Sequence, residues 1–125
     1  MDALAKHLHH LARTEVDTTI QRLPPDLRLH AQRLPVALEP WPNETLVQEG
    51  WDPDLLGMFV GDSLGVPEHE RQPLPAQILL FVENLWDYAG EDEDTYREEV
   101  RVTYLHELGH FLGLDEDDLD RRGLL

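Results

Sequence analysis

The stretch EEVRVTYLHELGHFLGL, residues 98–114, has the boundaries and the periodicity of a long amphipathic helix. Thr95 and Glu98 match a capping box, in which a hydroxyl and a carboxylate satisfy free N–H groups at the start of a helix. Gly113 can adopt the left-handed conformation that ends a helix. The sequence therefore predicts a helix from about Tyr96 to Leu112.

This helix has two chemically distinct faces when each residue is advanced by about 100° around the axis. One arc of about 140° carries large apolar side chains and is expected to face the core. Its members are Val100, Tyr104, Leu105, Leu108, Phe111 and Leu112. The opposite face carries His106, His110, Glu99, Thr103 and Gly113, with Glu107 at its flank. The helix thus separates a packing face from a face suited to chemistry.

The spacing of the two histidines favours a metal site. Residues four apart lie one above the other on a helix, so His106 and His110 can bind the same ion. Glu107 points toward the same cleft, slightly off the histidine axis, where it can reach a metal-bound water without becoming a ligand. The ion would lower the pKa of that water, and the carboxylate would accept its proton during attack on a carbonyl. A third protein ligand is expected, since a catalytic zinc site has three.

The pentapeptide HELGH resembles the signature of zincin metallopeptidases. The longer segment HELGHFLGLDE, residues 106–116, resembles the metzincin-type pattern HExxHxxGxx followed by a third ligand. The chain is also similar to the small bacterial zincin-like proteins called mini-zincins, which place a strand of the ILLF type before the motif helix and an acidic segment after it. The resemblance extends from Leu55 to the C-terminus and is loose before that.

This resemblance implies a role for each matching residue. His106 and His110 would be zinc ligands, Glu107 the general base, and Gly113 the sharp turn that returns the chain to the metal. Glu116 occupies the position of the third ligand, where the family usually has His and in some members Asp. Asp115 or Asp117 could supply that oxygen instead, and no Met-turn follows.

Composition narrows the classes of function. The chain has 125 residues, 26 acidic and ten basic, and a formal net charge of −16. That charge argues against nucleic acid, whose binding needs clustered Lys and Arg, and against docking on anionic membranes. It is compatible with cations, cationic peptides and basic partners. A peptide or protein substrate is therefore expected, and no nucleic acid or membrane.

Cysteine is absent, so any metal must be held by His, Asp or Glu, which suits zinc or another first-row divalent ion. No apolar run is long enough for a signal peptide or a transmembrane helix, which predicts a cytoplasmic location. The length predicts a single domain over residues 1–125.

The remaining pattern predicts an α+β fold with two N-terminal helices, a short mixed sheet of about three strands, a long motif helix and a short C-terminal helix. Asp2 can cap a first helix, and Pro25 can begin a second helix, PDLRLHAQR. The strand candidates are LPVALEP, LLGMFVG and AQILLFV; ENLWDYAG is expected to form one or two helical turns. Two stretches, 41–53 and 61–75, are rich in turn-forming residues and are expected to be loops.

Simpler alternatives remain open at this point. A chain rich in His and Glu can contain HExxH by chance, on a solvated helix face. A zincin-like fold can also be a non-catalytic module that binds metal or a basic protein, or its metal can be purely structural. Outside the motif, His7, His10, His30 and His69 are expected at the surface, and Trp51, Trp86, Tyr88 and Tyr104 in the core or on cleft walls.

Overall fold

The N-terminal helices begin where the sequence predicts them. A computed structural model describes residues 1–71 and 75–125 of the chain. Helix α1 (Ala3–Gln21) is capped by Asp2, whose carboxylate accepts a hydrogen bond from the Ala5 N–H at 2.7 Å. Helix α2 (Pro25–Arg33) begins with a proline, which has no N–H to leave unsatisfied in a first turn.

A three-stranded mixed sheet follows, as predicted. Its strands are β1 (Val36–Glu39), β2 (Gly57–Val60) and β3 (Gln77–Phe81), and their order is β1-β3-β2. The central strand β3 runs parallel to β1 and antiparallel to β2. Strand β3 is the continuous apolar run of the sequence, which suits a strand covered on both sides. Because the order is β1-β3-β2, strand β2 lies at an edge of the sheet.

The C-terminal half consists of α4 (Val82–Tyr88), α5 (Glu93–Leu112) and α6 (Glu116–Arg121). Helix α5 packs against α1 and α4 on one side and against the sheet on another. The predicted core stripe of α5 is largely confirmed: four of its residues are buried and Phe111 and Leu112 are half-buried. The buried four are Val100, Tyr104, Leu105 and Leu108. Together these elements confirm the α+β class.

One buried hydrogen bond ties α1 to α5. The hydroxyl of Tyr96 donates to the backbone carbonyl of Leu8 at 2.9 Å, and both side chains are fully buried. Burial raises the pKa of Tyr96 far above its usual value, so the hydroxyl stays protonated and remains a donor. This contact fixes the N-terminal half of α5 against the rest of the core.

The predicted start of the motif helix was wrong by one turn. Helix α5 begins at Glu93, and its cap is Asp92, not Thr95. The Asp92 carboxylate accepts hydrogen bonds from the Thr95 N–H at 2.9 Å and from the Thr95 hydroxyl at 2.7 Å. Thr95 therefore donates to the cap and lies inside the first turn.

Two predicted loops differ in part from expectation. The stretch 41–53 contains a short helix, α3 (Glu44–Gln48), because the Asn43 side chain caps it through the Leu46 N–H at 2.9 Å. The connection 61–75 contains a short 3-10 helix (Glu68–Glu70). Residues 72–74 of that predicted connection lie outside the described residues. Among the residues described, no helix has the length and apolar character needed to cross a membrane.

Candidate metal centre and substrate cleft

Helix α5 presents His106 and His110 on one face, one turn apart. Their ring centroids are 5.1 Å from each other, and both side chains are exposed. The pair is therefore accessible and closely spaced, as the i, i+4 pattern predicts. Imidazole nitrogens at this spacing suit zinc, and the chain has no cysteine to compete with them.

Glu107 is the one buried carboxylate among the buried residues of the described chain, with only 7% of its surface exposed. The helical wheel placed it at the flank of the histidine face, and did not predict burial. Burial raises the pKa of Glu107, an effect that His110 and then His106 oppose. Its Oε1 lies 3.5 Å from Nδ1 of His110. The carboxylate is thus held beside the histidines in a partly dehydrated environment.

An open cleft of about 570 Å³ contains all three motif side chains. One wall is α5, with Glu99, Val102 and Thr103 alongside the motif, and another is strand β2. Glu99 and Thr103 were predicted on the histidine face, and the cleft confirms that arrangement. The other lining residues are mainly apolar or aromatic: Trp51, Leu55, Leu56, Gly57, Met58, Phe59 and Tyr88.

The four aromatic residues predicted as core or cleft-wall side chains divide between those two roles. Trp51 and Tyr88 line the cleft and are 43% and 66% exposed. Trp86 packs edge-on against Tyr96 with ring centroids 5.7 Å apart, and Tyr104 is fully buried. The contribution of β2 to the cleft wall was not predicted, because an apolar strand segment does not show which helix it faces.

The chain turns back immediately after α5. Gly113 has φ of 73°, the left-handed conformation that the sequence predicts for a helix end. The Leu114 N–H donates to the Gly109 carbonyl at 2.8 Å, which folds the chain against the helix. Gly109 has no side chain to obstruct this approach: a Cβ there would lie 2.8 Å from the Leu114 carbonyl oxygen. Helix α6 can therefore start close to the histidines.

A second cavity, of about 400 Å³, lies at this turn and shares both histidines with the cleft. Asp115 and Glu116 line it, whereas Asp117 does not. The Asp115 carboxylate is the cap of α6 and accepts a hydrogen bond from the Asp118 N–H at 2.8 Å. The Asp118 carboxylate in turn accepts from the Asp115 N–H at 3.0 Å. Among the three predicted alternatives, Glu116 alone lines this cavity without also capping a helix.

A complete set of metal ligands is not assembled. Within residues 1–71 and 75–125, no three His, Asp or Glu side chains lie together in a group that could hold an ion. His106 and His110 fit two coordination positions by their spacing, and Glu116 lines the cavity that both histidines share. The donor chemistry of the two histidines fits zinc, which in a catalytic site has three protein ligands.

Comparison with known proteins agrees with this arrangement. A family model described as a zincin-like metallopeptidase matches residues 31–124. No match was found among curated proteins. The family match starts well before Leu55, where the visible resemblance of the sequence begins, and it includes the whole sheet and all of α5. The chain belongs to the zincin-like metallopeptidase family.

Proposed function

We propose that this protein is a zinc-dependent peptidase, with His106 and His110 as ligands, Glu116 as the third ligand and Glu107 as the general base. The observation that carries the proposal is the position of Glu107. Its buried carboxylate lies beside two exposed histidines, in a cleft open enough to admit a peptide. A buried charge is costly, so its presence at this point favours a catalytic use.

The chain's own residues would perform the following chemistry. Zinc, when bound, supplies a Lewis acid that polarises a peptide carbonyl and makes water a better nucleophile. The Glu107 carboxylate accepts a proton from the attacking water and donates it to the amide nitrogen as the C–N bond breaks. Burial removes most of the water around the Glu107 carboxylate, and this strengthens its electrostatic interactions.

The choice of Glu116 as the third ligand rests on the positions and hydrogen bonds of the neighbouring carboxylates. Asp115 is engaged as the α6 cap, and Asp117 does not line the histidine cavity. Glu116 is exposed and lines that cavity, and within residues 1–71 and 75–125 no hydrogen bond or ion pair restrains its side chain. A rotamer change is enough to alter its reach, whereas recruiting Asp115 would break a helix cap.

Zinc content and hydrolysis test the proposal separately. Protein purified without chelator should contain about one zinc per chain, and the Glu107→Gln variant should retain the zinc while losing cleavage of a peptide mixture. Protein that folds normally but shows no stoichiometric zinc site would contradict the proposal. So would a Glu107→Gln variant that cleaves at the wild-type rate.

A matched pair of substitutions tests the third ligand. Glu116→Ala should weaken zinc affinity by at least tenfold, whereas Asp117→Ala, which removes an equal charge at the next residue, should change it little. Chelator competition measures both affinities. A larger loss in Asp117→Ala would reassign the ligand.

A second candidate function is a non-catalytic module that binds metal or a basic partner protein. The incomplete ligand group and the strongly acidic composition favour it. Zinc bound through His106 and His110, without cleavage of any peptide mixture, would support this function.

The single domain over residues 1–125 and the cytoplasmic location stay predictions. Limited proteolysis tests the first, and cell fractionation tests the second.

A further inference from the structure

Glu99 is an acidic side chain in the cleft that the proposed chemistry does not use. It is half-buried and lies on the same face of α5 as His106. In the described part of the chain, no hydrogen bond or ion pair engages its carboxylate. The adjacent Glu98 differs, because it does not line the cleft and it pairs with Arg101 at 2.6 Å. Glu99 is therefore a carboxylate without a cationic partner among the described residues, in a cleft whose other walls are mainly apolar or aromatic.

The cleft that Glu99 lines suits a long side chain with an apolar stem. Trp51 and Tyr88 expose their aromatic rings to the cleft, and Leu55 and Val102 add aliphatic surface. Aromatic faces attract guanidinium and ammonium groups, and Lys and Arg bury their methylene stems along such surfaces. A fully apolar side chain would instead leave the Glu99 carboxylate without a partner.

The charge of the protein also favours a cationic side chain in the ligand. The residues that line the cleft include Glu99 and Glu107 and neither lysine nor arginine, and the chain as a whole has a formal charge of −16. Zinc held by the histidines would offset part of the cleft's own charge, but the negative charge of the rest of the chain would remain and attract cations. Cationic peptides are therefore favoured as they approach the cleft.

The spacing along α5 sets the length of side chain required. Glu99 is two turns before His106, about 10 Å along the helix axis at 1.5 Å per residue. A neighbouring residue of an extended peptide advances by only about 3.3 Å from the bond at the histidines. A residue adjacent to the bond therefore needs a long side chain to reach Glu99.

We propose that the cleft selects peptides in which an arginine or lysine near the scissile bond places its cationic end on Glu99, with its stem against Trp51 and Tyr88. This inference rests on the proposed peptidase function and names its substrate class. Glu99 is a specificity-determining residue and takes no part in bond cleavage.

A positional peptide set tests the selection. The peptides are identical except at one site, scanned on both sides of the cleaved bond and occupied by Arg, Lys, Leu or Asp. Cleavage should be fastest with Arg or Lys at one fixed position. In Glu99→Gln, the ratio of kcat/KM for the Arg peptide to that for the Leu peptide should fall by roughly 10- to 100-fold, the value of a charge-assisted hydrogen bond. Glu99→Asp, which retains the charge, should preserve part of the preference.

The matched control is Glu98→Gln, which removes the same charge from the preceding residue of the helix, a residue that does not line the cleft. It should leave the ratio unchanged, whereas an equal fall in both variants would reduce the effect to overall charge and overturn the proposal. Preferred cleavage beside Leu, or a preference for Arg that survives Glu99→Gln, would also overturn it.

Binding separates this proposal from the peptidase proposal itself. Capped Arg and Leu peptides are titrated calorimetrically into metal-free protein, where no cleavage occurs. The Arg peptide should bind roughly tenfold more tightly to the wild type and no more tightly than the Leu peptide to Glu99→Gln. If zinc-loaded protein cleaves nothing but this difference is present, the peptidase function fails and the basic-side-chain site stands. Equal affinities in the wild type overturn the site whether or not the protein is a peptidase.

Discussion

Replacing Gly109 by alanine tests the close approach of the returning chain to α5. In an ordinary helix interior this change stabilises by about 1 kcal/mol, because alanine has the higher helix propensity. Here the added Cβ would lie 2.8 Å from the Leu114 carbonyl oxygen and 3.1 Å from Cδ1 of Leu119. The first contact is with backbone and cannot be relieved by a rotamer change. Overpacking of this kind costs about 1–3 kcal/mol, so we expect a net destabilisation of about 0–2 kcal/mol.

The substitution should affect metal binding more than stability. Moving the Leu114 carbonyl outward displaces the turn that leads to Glu116, while the histidines on α5 stay in place. Urea unfolding measures stability, and chelator competition measures zinc affinity. Gly65→Ala is the matched control, because a Cβ at Gly65 meets no atom within 4 Å. A Gly109→Ala protein stabilised by the full 1 kcal/mol, with unchanged zinc affinity, would refute the reasoning.

Three further predictions concern the helix on which the site depends. Tyr96→Phe removes the hydrogen bond to the Leu8 carbonyl and should lower the free energy of unfolding by about 0.5–1.5 kcal/mol in urea denaturation, without loss of zinc. Gly113→Ala meets no steric contact but places a side chain at φ of 73°, and should cost about 1 kcal/mol on thermal unfolding. Asp92→Asn tests a pH dependence. Hydrogen bonds from Thr95 lower the pKa of Asp92 below 3.8, so its stabilisation is present above that pH and is lost as pH falls through the folded-state value. The stability difference between wild type and variant should therefore be largest near neutral pH and shrink in acid; a constant difference would contradict this account.

The long elements of the fold were predictable because their signals are local. The apolar stripe of α5 repeats over several turns, and β3 is an unbroken apolar run, so both were found with their types correct. Helix α3 has only five residues, too few for a periodic pattern, and lies in a stretch rich in Pro and Gly. The start of α5 was misplaced because the acidic segment before Thr95 offers several carboxylates that can each cap a helix.

The features that define the site geometry depend on non-local contacts. No local pattern shows that β3 lies between β1 and β2, or that β2 faces the histidines. The burial of Glu107 likewise arises from elements packed around α5, and a helical wheel cannot represent them. The proposal of Glu116 over Asp115 and Asp117 rests on two structural features, the capping role of Asp115 and the lining of the histidine cavity, and neither is visible in the sequence.

The packing of α1 on α5 has a consequence for any shortened version of the protein. The family match begins at residue 31, yet the hydrophobic core includes Leu8, Leu11, Ala12, Val16, Leu23 and Leu27, all before that point. A fragment trimmed to the matched region would expose the apolar side of α5, directly behind the histidines. Truncation at that boundary should therefore yield a fragment that aggregates. The shortest fragment that folds without aggregating should retain α1.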